Sequence, residues 1–109
     1  MNNEHTSFEL ITSAGNSKSY SMLAIEAARE KEFHKANEYI KKASDELKKA
    51  HSIQFELIQH EARGDHVDID VILIHAQDHL TMALMMKDQA EEFIHIYKEF
   101  QEIKEGISE

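Results

Sequence analysis

The sequence contains no cysteine, no proline and no tryptophan, and it has three glycines in 109 residues. Without cysteine, disulfides and thiol chemistry are excluded. Proline and glycine punctuate strands and loops, so their scarcity predicts an all-α protein of long helices. Positive charge is also short: 12 Lys and Arg stand against 21 Asp and Glu, for a formal net charge of −9, and no segment carries a basic stripe. Nucleic acid and anionic membrane surfaces are therefore not expected partners. The acidic balance instead favours basic-faced partners. No apolar run approaches the roughly 20 residues that a membrane span needs, so no membrane insertion is expected. The opening Met1-Asn-Asn-Glu-His-Thr lacks the basic start and apolar core of a signal peptide, which makes the expected compartment cytoplasmic. At this length one domain, 1–109, or one subunit of an assembly is expected.

What is present fits amphipathic helices: 41% of residues are hydrophobic and 30% charged, enough for buried stripes and solvated outer faces. Three helices are expected, at about 6–30, 33–63 and 68–104, joined by short turns as an antiparallel up-down-up bundle. The first opens at Thr6 or Ser7 with Glu9 as a capping pair. Its stripe reads Phe8, Ile11, Gly15, Ser19, Met22 and Ile25, widened by Leu10, Ala14, Leu23 and Ala27. Gly15 inside it implies a kink, a tight helix contact or close approach to a site. The second helix carries an a/d-type seam of Phe33, Ala36, Ile40, Ala43, Leu47, Ala50 and Leu57, with Gln54 as its blank. Its lysines belong to a solvated face, and His34, His51 and His60 to surface or boundary positions. Arg63-Gly64-Asp65-His66 is the clearest break, with Gly64 suited to a helix end and Asp65 and Asp68 offering caps for the third helix. The tail from Glu105 is expected to fray.

The third helix holds the pattern that bears on function. The apolar run Val71 to Ile74 leads into His75, Asp78 and His79. Residues three and four apart share a helix face, so these three crowd one spot. Met82, Met86, Gln89, Phe93, Ile96 and Phe100 continue a seam that looks buried, while Leu84, Met85 and Ile94 lie off it. Apolar surface on more than one stripe predicts self-association. From the residues alone three readings stand open for the triad. It is a structural polar layer, or a transition-metal site built on i, i+4 histidines, or a phosphocarrier or other catalytic site with His75 as nucleophile. In the last, Gln77 or His79 would fix the tautomer of His75, and Asp78 would repel a phosphate unless a cation sat beside it. The spacing is not the H-E-x-x-H of zinc proteases.

The string His75-Ala-Gln-Asp-His-Leu80, followed by Met82-Ala-Leu-Met-Met-Lys87, closely resembles the IIA component of the lactose/cellobiose (N,N′-diacetylchitobiose) branch of the bacterial phosphoenolpyruvate-dependent sugar phosphotransferase system. Phe8-Glu-Leu-Ile with Ser13-Ala-Gly-Asn-Ser-Lys-Ser19 is similar to that family's first helix. Ala24 to Ala28, Phe33-His-Lys-Ala36 and Ala50 to Gln59 are similar to its second. The resemblance implies a three-helix bundle assembling into a homotrimer of nine helices. It implies that His75 is phosphorylated on Nε2 by phospho-HPr and passes the group to a cysteine of a IIB component, which serves a membrane IIC. It implies that Asp78 from three subunits holds one metal ion, Mg2+, that Gln77 and His79 support the site, and that Gly15 and Asn16 lie near His75. Two features depart from the family pattern: the order Thr81-Met82, and Lys31 where glycine is common. The rival from another class is a non-catalytic oligomeric helical interaction module with a His/Asp metal site.

Overall fold

Three α-helices and two short connections make up residues 4–108, the residues described in the computed structural model. The helices are α1 (Glu4–Arg29), α2 (Phe33–Ala62) and α3 (Val71–Ser108). No strand occurs among the described residues. Ser17 meets Ala43, Lys18 meets His79 and Gln54 meets Gln77, so the chain runs up, down and up. The molecule is a rod of 65 × 20 × 19 Å with a radius of gyration of 17.8 Å, against about 13 Å for a compact domain of this size. A rod so thin has little interior, and much of its apolar surface stays outside.

The core is built mainly from small side chains. In α1 the buried row is Ser7, Leu10, Ala14, Ser17, Ser21, Ala24 and Ala28, at alternating steps of three and four. Of the expected stripe, Leu10, Ala14 and Ala27 are buried and Ile11 packs against the core, whereas Phe8 and Met22 are about half exposed. Ser7 sits buried inside the helix and is not its cap. Small residues win because α1 packs against both α2 and α3, and close approach of backbones leaves no room for bulk. The Ser17 hydroxyl donates to the Ala43 carbonyl at 2.9 Å. The buried Ser7 and Ser21 hydroxyls have no partner. In α2 the expected seam is the buried one, with Ala36, Ala43, Leu47, Ala50 and Leu57 inside and Phe33 and Ile40 packed at its edge.

In α3 the row facing the core is Leu73, Ala76, Leu80, Ala83, Ala90 and Ile94. Lys87 takes the vacant step of that row. Its hydrogen bond to Glu91, 2.9 Å away, raises its pKa against the opposing effect of desolvation. The stripe expected to be buried, through Met82, Phe93, Ile96 and Phe100, is 44–58% exposed. Two apolar rows compete for one interior, and the row rich in alanine and leucine fits the closely spaced α1. Ten of the sixteen exposed large apolar side chains among the described residues lie on α3. They form a second, outward row that includes Ile74, Met82, Met85, Phe93, Ile96, Phe100 and Ile103.

Both helix ends before the connections close in the same way. After α2, Gly64 N–H donates to Glu61 O at 3.1 Å and Asp65 N–H to His60 O at 2.9 Å, with Gly64 at φ 89°. After α1, Lys31 N–H donates to Ala28 O at 3.0 Å and Glu32 N–H to Ala27 O at 2.9 Å, with Lys31 at φ 68°. Both are Schellman closures, which place their turning residue in the left-handed region. Glycine does this without strain, whereas a residue bearing Cβ does not. Lys31→Gly is therefore expected to stabilise the fold by about 0.5–1 kcal/mol, net of the entropy glycine adds to the unfolded chain. A urea-denaturation midpoint that moves up at constant slope will show it.

The third helix begins later than expected. Asp70, and neither Asp65 nor Asp68, is its cap: Asp70 Oδ1 accepts the Leu73 N–H at 2.8 Å and Asp70 O accepts the Ile74 N–H at 3.1 Å. The segment before it is tethered by Val67 N–H to Glu61 Oε2 at 3.0 Å. At the far end α3 continues through Ser108, beyond the expected Lys104.

Candidate functional site

Leu73, Ala76 and Leu80 pin the start of α3 to the core. That fixes the rotation of the helix, and the polar residues between them take the remaining faces. His75 is exposed and His79 half-buried, one turn apart. Their Nε2 atoms are 3.0 Å apart, and the rings meet edge to face at 78° with centroids 4.4 Å apart. Lys18, from the middle of α1, donates from Nζ to His79 Nδ1 at 2.8 Å. A chain of three side chains thus runs from α1 outward to an accessible imidazole: Lys18, His79, His75.

The other expected site residues lie elsewhere on the helix surface. Gln77 faces α2, where its Oε1 accepts from Gln54 Nε2 at 2.6 Å. Asp78 is exposed, in the outward apolar row between Ile74 and Met82. No group of three or more His, Asp or Glu side chains able to hold a metal forms among the described residues. The two imidazoles engage each other, and the Asp78 carboxylate acts on His79 through its charge.

Lys18 was not legible as a site residue. It lies 61 positions from His79, and helix periodicity relates only neighbours on one helix. The segment that carries it, Ser13 to Ser19, stands out through Gly15 and through the family resemblance, and neither points to Lys18. Gly15 is not there for a tight contact within the chain, since a Cβ built on it meets nothing within 4 Å. It lines an open groove of about 470 Å³ between α1 and α3, together with Lys18, Met22, Leu23 and Met86. Asn16 is exposed. A larger groove between α1 and α2, beside Phe8 and Ile53, includes none of Lys18, His75 and His79.

Burial holds the His79 pKa below the ordinary 6.5, with the Lys18 ammonium and His75 adding to the shift and Asp78 opposing it. His79 is therefore neutral near pH 7, with one ring nitrogen free to accept. Its ring-proton resonances are expected to titrate with a midpoint below 6.5. The linked stability is complete above the unfolded-state value and is lost as pH falls through the folded one.

A family description, "PTS system, Lactose/Cellobiose specific IIA subunit", matches residues 5–98. The chain belongs to the lactose/cellobiose-specific IIA family of the sugar phosphotransferase system. Relatives extend the point. The lichenan-specific phosphotransferase enzyme IIA component of Bacillus subtilis is 40% identical over 99 residues, covering 91% of this chain and 90% of that one. The crystal structure of the PTS cellobiose-specific enzyme IIA from Bacillus anthracis superposes with a TM-score of 0.90 at 42% identity, covering 93% of each chain. The IIA(Chitobiose) chain of the Escherichia coli IIA(Chitobiose)–HPr complex shares the fold at a TM-score of 0.80 and 24% identity, covering 93% of this chain and 98% of that one. The match to the IIA family spans all of Lys18, His75, Gln77, Asp78 and His79. As a IIA component the chain is part of a phosphotransferase system, and no helix among its described residues is long and apolar enough to cross a membrane.

Proposed function

We propose that this IIA chain is a cytoplasmic phosphocarrier whose nucleophile is His75. It takes a phosphoryl group from phospho-HPr on Nε2 and passes it to a cysteine of a IIB component, which serves a membrane IIC during uptake of a β-glucoside or lactose-type sugar. The observation that carries this reading is the exposure of His75 at the end of the Lys18–His79–His75 chain. A nucleophile that must meet two partner proteins in turn has to be reachable, and its attacking nitrogen has to be oriented. The E. coli relative is described in complex with HPr, which supports HPr as the donor. The net charge of −9 suits basic partner faces.

We further propose that three copies join along the outward row of α3 and that Mg2+ sits between their Asp78 side chains. The residues fit such an ion. One exposed carboxylate stands in a row that is otherwise uncharged and mostly apolar, and burying that row between copies would desolvate an unpaired charge. A hard divalent cation takes carboxylate oxygens, and when bound it supplies charge neutralisation. His75 and His79 lie off that row, at its edge, and Gln77 supports the site through its tie to α2.

The test is to incubate the chain with phosphoenolpyruvate, enzyme I and HPr and run a phosphate-affinity gel. One retarded species is expected. No shift with any HPr tried would favour a non-catalytic interaction module.

A further inference from the structure

We propose that Lys18 is a positioning residue for phosphoryl transfer: it fixes the proton of His79 on Nε2 and thereby leaves the Nε2 lone pair of His75 unprotonated. This deepens the phosphocarrier reading and rests on it.

Two imidazoles whose Nε2 atoms lie 3.0 Å apart share one proton between them. The proton has two resting places. If it sits on His79, His75 Nε2 accepts and keeps a lone pair. If it sits on His75, that nitrogen is a donor and cannot attack. The pair alone has no means of choosing. Lys18 breaks the symmetry. An ammonium has three donors and no acceptor. At 2.8 Å from His79 Nδ1 it requires that nitrogen to accept. A neutral imidazole has one donor and one acceptor, so the proton of His79 must be on Nε2. It is then donated to His75 Nε2, and the proton of His75 is left on Nδ1.

The transfer step follows from this arrangement. The Nε2 lone pair of His75 forms the bond to phosphorus as the donor's bond to phosphorus breaks, and the electron pair of that bond stays with the donor. His75 keeps its Nδ1 proton. The Nε2–H of His79 loses its acceptor as the bond forms and turns to a phosphoryl oxygen in the same place. Lys18 touches none of the reacting atoms, and its role runs entirely through His79.

The experiment reads the ring nitrogens of 15N-histidine-labelled protein by long-range 15N–1H correlation, in wild type, Lys18→Met and Lys18→Arg. Phosphoryl uptake from phospho-HPr is timed on the same samples. In wild type, His79 is expected as the Nε2–H tautomer and His75 as the Nδ1–H tautomer. Lys18→Met is expected to turn His79 into a tautomer mixture and to slow uptake about tenfold. Lys18→Arg, which still donates, is expected to restore both. Ring shifts unchanged in Lys18→Met would overturn the proposal, and so would a changed tautomer with an unchanged rate. If Lys18→Met does not fold, wild type decides alone, because a proton on Nδ1 of His79 contradicts the assignment. A wild-type chain that takes no phosphoryl group overturns the carrier reading itself, and this is seen before any variant is compared.

Discussion

His75→Ala is expected to abolish phosphoryl uptake, a loss of at least about a thousandfold, while the three helices stay folded. The side chain is exposed, and truncating an exposed residue away from caps and core changes stability by no more than about 0.5 kcal/mol. No other histidine takes the outer place in the Lys18–His79–His75 chain. There is no cysteine. His79 is the nearest imidazole, but its Nδ1 accepts from Lys18 and its Nε2 faces the ring that would be missing. His5 and His34 sit against Glu9 and Glu38 at 2.6 and 2.9 Å, where a carboxylate repels an incoming phosphoryl group. His79→Ala should behave differently. It keeps the nucleophile and loses the group that orients it, so uptake continues about ten to a hundred times more slowly. Quenched time courses on a phosphate-affinity gel separate the two variants, and similar rates for both would remove His75 from its special place.

The second large effect is expected at Asp78. If copies of the chain join along the outward row of α3, their Asp78 carboxylates meet at the junction. Two unit charges about 4 Å apart repel by about 4 kcal/mol at an effective dielectric of 20, so three together oppose assembly strongly. The apolar neighbours pull the other way, since fully burying one side chain such as Ile96 or Phe100 is worth about 1.5–3 kcal/mol. The cation decides the balance. Sedimentation of wild type should therefore show trimers that weaken when a chelator removes divalent ions. Asp78→Leu should sediment as a trimer with or without chelator, because the leucine continues the apolar row. An Asp78→Leu chain that falls apart into monomers would show that the carboxylate does more than carry a charge to be neutralised. Wild type that is monomeric in both conditions would show that the outward row is not covered by copies of this chain.

How much of this could be read from the residues differs from helix to helix. The absence of proline and the rarity of glycine pointed to long helices, and the charged segment Arg29-Glu-Lys-Glu32 and the break at Gly64 divided them into three in an up-down-up order. The α2 seam was legible because its large and small apolar residues fall on one row. In α1 they do not. Leu10 joins a row of serine and alanine inside, Ile11 packs at its edge, and Phe8 and Met22 face out, so a period read from large side chains finds a stripe turned partly away from the core. In α3 there are two apolar rows, and periodicity cannot say which one faces the core of the chain and which is left outside. The i, i+4 pairing of His75 and His79 was legible from spacing. Lys18 was not, because the contact depends on how α1 and α3 are rotated against each other, which the Ser/Ala row of α1 and the Leu73–Ala76–Leu80 row of α3 determine together.

The most direct measurement locates the phosphorus atom. The chain, labelled with 15N-histidine and charged through phosphoenolpyruvate, enzyme I and HPr, should give one phosphoryl group per chain. Its 31P signal should couple to a single ring nitrogen, Nε2 of His75. A phosphoryl group bound to Nδ1, carried by another residue or absent altogether would contradict the account.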